Sequence, residues 1–134
     1  MKQIVTIGGL FAAALMGAPA YGQAPKGGAA RPFVVNEALA QAGRNVWSAK
    51  GCMACHTIGK GKVAGPDLDG LYARRSTAWV KSWLKNPEPM FEADEAAKAM
   101  LKEWNNLKMP NMKLSDADIE AVMHYIAELQ TKKK

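Results

Sequence analysis

The sequence predicts an all-α domain. Apolar residues recur at spacings of three and four in segments that begin at capping residues, and the intervening loop carries no strand signal. The chain has 134 residues, of which 49% are hydrophobic and 22% charged, so it is long enough for one globular domain of roughly 100 to 150 residues. Only two cysteines are present, which excludes a small domain held together by many disulfides.

Residues 1–24 have the three-part pattern of a secretory signal peptide. Lys2 is followed by an apolar run over residues 4–17, broken only by Thr6, and then by small residues as far as Ala24. The run is shorter than the roughly 20 apolar residues that a membrane-spanning helix needs. We therefore expect export to the periplasm and cleavage near residue 24, with no permanent membrane span once the signal is removed. Retention as an anchor is the open alternative.

The remaining chain divides into a flexible lead-in, residues 25–35, and one helical domain, residues 36–134. The lead-in is rich in Gly, Ala, Pro and basic residues and has no apolar period. Asn36 is placed to cap a first helix that runs to Lys50 and ends at Gly51. Its predicted apolar face combines five side chains: Ala38, Leu39, Ala42, Val46 and Trp47.

Three further helices are predicted after an irregular loop over residues 57–75. One begins at Ser76 or Thr77 and ends near Asn86, where Pro87 stops it, and a short one spans about 94–104. The last begins at Ser115, with Asp118 completing a capping box. Its apolar stripe consists of Ile119, Val122, Met123, Ile126 and Leu129.

The chemistry of the chain is concentrated in Cys52-Met53-Ala54-Cys55-His56. In an exported protein, a Cys-x-x-Cys-His run is the attachment signature of c-type haem. Two thiols three positions apart on one turn can reach two vinyl groups of a porphyrin, and His56 is then placed beneath the iron. A thiol-disulfide site would need a neighbouring strand pattern and would give His56 no role. A zinc site would need about four ligands, and the only other imidazole is His124.

A second axial ligand for the iron would come from His124 or from a methionine. On the last helix His124 lies about 140° from Ile119 at 100° per residue, so we expect it to face water. Met123 belongs to the apolar stripe, Met53 lies inside the attachment loop, and Met1 and Met16 leave with the signal. The residues alone leave four candidates open: Met90, Met100, Met109 and Met112.

Four further matches, in the right order, make the chain resemble a class I cytochrome c from about Asn36 to Leu129. Gly43-Arg44-Asn45-Val46-Trp47 resembles the family's Gly-x-x-x-aromatic motif, where the glycine lets the last helix cross closely, here against Tyr125. Gly65-Pro66-Asp67-Leu68 resembles the loop that backs the haem. Met109-Pro110 resembles the family's ligand loop, and Tyr125-Ile126 resembles the aromatic-apolar pair of its terminal helix.

The resemblance implies a cytochrome c-like fold, with about four helices around one covalently bound haem. It implies that Cys52 and Cys55 hold the haem, that His56 and Met109 ligate the iron, and that Met112 is the alternative to Met109. It also implies that the Pro66 carbonyl accepts the free N–H of His56, which would fix the tautomer of that imidazole. The link over residues 87–108 is longer than a minimal cytochrome needs. Three tryptophans are candidates to donate an N–H to a haem propionate: Trp79, Trp83 and Trp104.

With imidazole and thioether both on the iron, no coordination position is left for a substrate. We therefore expect a monomeric single-haem electron-transfer protein with a positive potential, not an enzyme. Two alternatives stay open: a fixed haem subunit of a larger redox complex, and a ligand-binding or peroxidatic haem protein.

The distribution of charge suggests the kind of partner. The net charge is +6. The chain from Arg44 to Lys85, which contains the Cys-x-x-Cys-His motif, has eight basic residues and only two acidic ones, Asp67 and Asp69. Such an excess favours redox partner proteins with acidic docking patches. A solvated basic face without a partner is the alternative. No nucleic-acid binding is expected, because the basic residues are not interleaved with a stacking platform.

Overall fold

The structure, a computed structural model, describes residues 33–132, and over that range it is helical without strands. All four predicted helices are present. They are α1 (Glu37–Ala49), α3 (Thr77–Lys85), α5 (Glu95–Glu103) and α6 (Asp116–Thr131), with the short helices α2 (Leu71–Arg74) and α4 (Met90–Ala93) between them. The prediction of an all-α fold is confirmed.

Each of the four long helices begins at a side chain that caps it. The side-chain oxygen of the N-cap residue accepts a hydrogen bond from a backbone N–H three residues further on, one of the donors that the first turn of a helix leaves free. The four pairs are Asn36 with Leu39, Ser76 with Trp79, Asp94 with Ala97 and Ser115 with Asp118. At α6 the Asp118 carboxylate also accepts from the Ser115 backbone N–H, so the predicted capping box is confirmed.

Three short elements were not predicted. A 3-10 turn spans Cys52–Ala54, and α2 interrupts the segment 57–75 that we expected to be irregular throughout. Gly70, at φ 66°, provides the left-handed turn that starts α2, and Pro89 precedes α4 with φ −63°. Helices of three or four residues are too short to show an apolar period, so the sequence pattern could not reveal them.

The crossing of α1 over α6 forms one side of the core. Ala40, Gly43 and Trp47 are the buried residues of α1, whereas Ala38 and Ala42 are exposed, so the predicted apolar face was rotated by part of a turn. On α6 the predicted stripe is buried from Ile119 to Ile126, and Leu129 is half-buried. The two helices meet at Gly43, where no side chain separates their backbones.

His124 is buried, so the prediction that it faces water was wrong. Its side chain lies on α6 with its Nδ1 accepting the Asn36 backbone N–H at 3.0 Å, and the ring of Phe33 contacts it edge-on. The angular argument assumed one buried side, whereas α6 is covered on two: by α1, and by Phe33 and Tyr72 on the flank next to α3. His124 does not line the cavity described below.

The end of the lead-in is packed against the domain. Phe33 stacks on Tyr72 with ring centroids 4.8 Å apart, while Val34 is exposed. Burial raises the pKa of Tyr72, and its hydroxyl donates to the Met123 carbonyl. The predicted signal peptide, residues 1–24, and most of the lead-in lie outside the described residues. Within residues 33–132, no helix is long and apolar enough to span a bilayer.

Candidate haem site

A cavity of about 740 Å³ lies between the attachment turn, α3, α5 and the segment that precedes α6. Its lining is mostly apolar, and its size falls within the range of small-molecule and cofactor sites. The four side chains expected to hold a haem all line it: Cys52, Cys55, His56 and Met109. The fold therefore brings together residues that lie more than fifty positions apart in the sequence.

The attachment turn presents its two thiols as free side chains. Gly51 takes a left-handed conformation at φ 68° and ends α1, and the backbone N–H groups of Cys55 and His56 both donate to the Cys52 carbonyl. Cys52 is half-buried and Cys55 exposed, and neither forms a disulfide. Burial raises the pKa of the Cys52 thiol. Among residues 33–132, no group of three or more His, Cys, Asp or Glu side chains is arranged to hold a metal ion such as zinc.

The imidazole of His56 is held by the Gly65-Pro66 loop. Its Nδ1 lies 3.0 Å from the Pro66 carbonyl oxygen, which can only accept, so Nδ1 carries the hydrogen and Nε2 keeps a free lone pair. A Cβ atom at Gly65 would stand 2.8 Å from His56 Cε1 and 2.7 Å from the Cys55 carbonyl oxygen. The loop can approach the ring this closely because residue 65 has no side chain.

The carboxylate of Asp67 organises the loop around this histidine, a role that the sequence did not indicate. Its two oxygens accept backbone N–H groups from Gly59 at 2.6 Å, Gly61 at 2.7 Å and Asp69 at 2.9 Å. Although burial acts in the opposite direction, these hydrogen bonds lower the pKa of Asp67 to about 2. The carboxylate is therefore ionised throughout the neutral range and fixes the loop.

Of the candidate methionines, Met109 has its sulfur held in place by a hydrogen bond. The indole Nε1 of Trp83 donates to the Met109 Sδ at 3.1 Å. Met112 also lines the cavity, but it packs against the core cluster that contains Val80 and Leu114. Met100 lines the cavity from α5, whereas Met90 does not line it.

Two buried polar atoms at the cavity have no hydrogen-bond partner among the described residues: Trp79 Nε1 and Arg75 Nε. The Arg75 guanidinium lies 5.1 Å above the Trp79 ring, so both groups occupy one part of the wall. Because buried donors are almost always satisfied, such a pair indicates a bound acceptor. Haem propionates are anionic acceptors, so these residues fit the group. Of the three candidate tryptophans, Trp79 is the one whose indole N–H is buried without a hydrogen-bond partner among the described residues.

The long link over residues 87–108 closes one side of the cavity. It contributes Phe91, Met100, Leu101 and Trp104 to the wall. Lys62, in the loop over residues 57–75, contacts this link twice. Its Nζ lies 2.6 Å from a Glu103 carboxylate oxygen and 4.8 Å from the centre of the Trp104 ring. The link that departs from the minimal family pattern therefore belongs to the site.

The fold pairs half of the eight clustered basic residues with acids from elsewhere in the chain. The pairs are Arg44 with Glu128, Lys62 with Glu103, Lys81 with Glu120 and Lys85 with Asp116. Lys108, outside this cluster, lines the cavity with its Nζ 5.4 Å from the centre of the Phe91 ring. The positive charge at the site is therefore smaller than the sequence count suggested.

An all-helical fold around a Cys-x-x-Cys-His turn, with a proline carbonyl behind the histidine, defines a class I cytochrome c. The cytochrome c family model matches residues 40–130, and the chain belongs to the cytochrome c family. Members of this family carry haem c and are generally electron carriers, and the bacterial ones are typically exported proteins. The sequence-based recognition of the family is confirmed.

Solved structures of the family superpose on this chain. A cytochrome c from Rhodothermus marinus has a TM-score of 0.68 and 25% identity, and the match covers 74% of this chain and 83% of that one. The cytochrome c domain of a Pseudomonas putida protein has a TM-score of 0.60 and 35% identity, over 67% of this chain and 89% of that one.

A longer protein is also similar in sequence. Cytochrome c oxidase subunit 2 of Alkalihalophilus pseudofirmus is 30% identical over 100 residues, which cover 70% of this chain. The matching region is 27% of that subunit, so the chain spans about a quarter of this relative's length.

Proposed function

We propose that this protein is a single-haem electron carrier that passes one electron between redox partners in an exported compartment. The thiols of Cys52 and Cys55 would each add across one vinyl group of the porphyrin, forming a carbon–sulfur bond while the thiol hydrogen goes to the vinyl carbon. His56 Nε2 and Met109 Sδ would ligate the haem iron. The bound haem supplies an iron that alternates between the ferric and ferrous states.

One observation carries this proposal: the two ligating side chains line the same cavity, and each is oriented by a hydrogen bond of its own. The Pro66 carbonyl leaves His56 Nε2 unprotonated, which is the form that binds a metal. Trp83 holds the Met109 sulfur. With both ligands supplied by these side chains, the iron would have no open position for a substrate, and outer-sphere electron transfer would be the chemistry that remains.

The rest of the cavity wall supports the same function. Arg75 and Trp79 supply donors for the propionates, and the apolar lining disfavours the extra positive charge of ferric iron. A soft thioether ligand also favours the ferrous state, so we expect a positive reduction potential. Because His56 and Met109 are each oriented by a hydrogen bond, the ligand set would stay unchanged between oxidation states, as rapid electron exchange requires.

Lys108, which lines the cavity, would attract a partner with an acidic patch. The carrier is expected to be a monomer that docks briefly, because electrostatic steering raises the encounter rate without demanding a large buried interface.

The proposal is tested on the purified exported protein. We expect the haem to remain with the polypeptide through acid-acetone extraction, the mass to include one haem, and the ferric spectrum to contain the weak far-red band of methionine ligation. Haem that is lost on extraction would rule out thioether attachment. A missing far-red band would rule out methionine as the sixth ligand.

A second candidate is a fixed haem subunit or domain of a terminal oxidase-like complex, which the similarity to cytochrome c oxidase subunit 2 favours. The two candidates differ in how firmly the protein is held. Co-purification with a stoichiometric partner that resists high salt would favour the fixed subunit, because steered electrostatic encounters weaken as salt rises. A protein that elutes alone at high salt would favour the mobile carrier.

A further inference from the structure

We propose that the link over residues 87–108 is a lid on the haem cavity, and that the ion pair between Lys62 and Glu103 is the latch that holds this lid shut. While it is shut, the lid slows the entry of small molecules from solution to the haem. This inference rests on the proposed function, since it requires a haem in the cavity.

The lid is anchored at both of its ends. Pro87 at its start is fully buried, and the buried ring of Phe91 meets the Trp83 ring of α3 edge-on at 5.1 Å. Just beyond its other end, the Asn111 side-chain amide donates to the Asn86 side-chain oxygen at 3.2 Å. Both ends are therefore fixed beside the end of α3. A displacement of the lid is greatest in α5, which lies between them.

The helix α5 is a self-contained unit within the lid. The Asp94 carboxylate caps its start by accepting the Ala97 backbone N–H at 2.9 Å. At its end, Asn105 adopts a left-handed conformation with φ 51°, and the Asn106 backbone N–H donates to the Leu101 carbonyl at 2.8 Å. The helix that α5 packs against most is α4, which also belongs to the lid. Because α5 satisfies its own ends, it can move as a rigid body.

The latch lies at the rim of the cavity. Lys62, from the loop over residues 57–75, contacts the Glu103 carboxylate at 2.6 Å and lies 4.8 Å from the centre of the Trp104 ring. All three side chains line the cavity. The Lys62 and Glu103 side chains are 64% and 55% exposed, so their contact lies where the cavity meets solvent. One lysine therefore joins the lid to the loop that holds His56.

The exposure of the latch sets its strength. An ion pair exposed to this degree shifts an equilibrium by up to about fivefold, and dissolved salt screens it. Such a contact favours the shut lid and still lets it open often. Small molecules then reach the haem at a rate that depends on the fraction of time for which Lys62 and Glu103 are apart.

The test is the rate at which carbon monoxide binds to the ferrous Met109→Ala holoprotein, in which the iron is expected to have an open position. Carbon monoxide is uncharged, so a change of surface charge does not alter its attraction to the protein. Glu103→Gln, added to this parent protein, removes the charge that holds Lys62. We expect carbon monoxide to bind about two- to fivefold faster than to the parent. An unchanged rate would overturn the inference.

Glu95→Gln in the same parent is the matched control. It also removes an exposed, paired carboxylate from α5, but its partner Lys98 lies in the same helix at 2.7 Å, so this ion pair does not join the lid to the loop. The Glu95→Gln protein should bind carbon monoxide at the rate of the parent. An acceleration equal to that of Glu103→Gln would overturn the latch, because the loss of any charge on α5 would then suffice.

Ionic strength gives a second measurement on the same proteins. Salt weakens the latch in the parent, so binding of the uncharged ligand should become faster as salt rises. The Glu103→Gln protein has no latch to weaken, and the difference between the two rates should shrink. A difference that stays constant from low to high salt would mean that Glu103 acts through packing, and it would overturn the latch.

The ferric spectrum separates this inference from the proposed function. Equal rates with and without Glu103→Gln, in a Met109→Ala protein that lacks the far-red band, refute the lid alone. A Met109→Ala protein that retains the band refutes ligation by Met109, and the lid is then tested in the same way in Met112→Ala. A polypeptide that carries no haem refutes both. Should Met109→Ala fail to load haem, Met109→Leu, which lacks the sulfur but has a similar volume, replaces it as the parent.

Discussion

The backbones of Gly43 and Ala121 lie in direct contact where α1 crosses α6. A Cβ atom built on Gly43 would stand 2.0 Å from the Ala121 carbonyl oxygen and 2.8 Å from the Tyr125 Cβ. No real Cβ contact is that short, and a backbone oxygen cannot rotate away. This crossing fixes the distance between α1 and α6, which contribute Trp47 and Val122 to the cavity wall, and Trp47 and Tyr125 meet edge-on beside it at 5.8 Å.

Gly43→Ala is therefore expected to lower the free energy of unfolding by about 2 kcal/mol or more, because the helices must separate to admit a methyl group. The loss should exceed the gain of up to about 1 kcal/mol that alanine gives within a helix. Gly51→Ala is the control: its φ of 68° is strained for alanine, but no atom lies within 4 Å of the added carbon. Urea denaturation of the haem-loaded proteins measures both. A Gly43→Ala protein as stable as the wild type would contradict the close crossing.

Met109→Ala is expected to abolish the far-red band of the ferric protein and to open a coordination position that binds carbon monoxide in the ferrous protein and cyanide in the ferric protein. Met112→Ala should keep the band, and it should lose about 1 to 3 kcal/mol of stability because this side chain packs against the core. The ferric spectra of the wild type and both variants provide the measurement. Loss of the band in Met112→Ala, together with its retention in Met109→Ala, would show that Met112 and not Met109 ligates the iron.

The Asp67 carboxylate predicts a pH dependence of stability. Its pKa is about 2 in the folded protein, below the ordinary value of 3.8. The ionised form therefore stabilises the fold at pH values above about 4, and this contribution is lost as the pH falls towards 2. Thermal unfolding should show Asp67→Asn to be less stable than the wild type by about 1 kcal/mol at pH 7, after allowance for solvent screening. The difference should shrink between pH 4 and pH 2.

Glu88→Gln removes one carboxylate from an exposed position and is the charge-matched control for that experiment. A wild-type advantage over Asp67→Asn that stayed constant from pH 7 to pH 2 would show that the three backbone hydrogen bonds do not depend on the ionised carboxylate.

The positive charges around the cavity should raise the rate of electron transfer to a small anion, and a charge close to the cavity should matter more than a distant one. Reduction of ferricyanide by the ferrous protein should slow as ionic strength rises, because the anion is attracted to the cationic opening. At a fixed ionic strength, Lys108→Gln should reduce ferricyanide more slowly than the wild type does. Lys85→Gln removes the same charge beside Asp116, away from the cavity lining, and should have a smaller effect. Equal effects of the two variants would indicate attraction by net charge alone.

The candidate haem-binding residues could be named from the sequence because their signals are local, and the structure places all four at one cavity. Cys52, Cys55 and His56 lie in one pentapeptide, and Met109 was chosen by its place in a family motif ahead of the α6 cap. Trp83 was considered only as a propionate donor, since nothing in the chain connects it to a methionine 26 positions away. Asp67 likewise formed part of a motif without any indication that its carboxylate binds the loop.

Hydrophobic periodicity and capping act over a few neighbouring residues, so the long helices and their caps could be predicted from local sequence, as could the Cys-x-x-Cys-His motif. The burial of His124, the pairing of the clustered basic residues with distant acids, and the contact of Trp83 with Met109 could be recognised only in the folded chain. Each of these depends on which two elements lie side by side, and a local pattern carries no information about its neighbour across the fold. The second flank of α6 is covered, and the long link over residues 87–108 closes one side of the cavity, because the whole chain packs around one site.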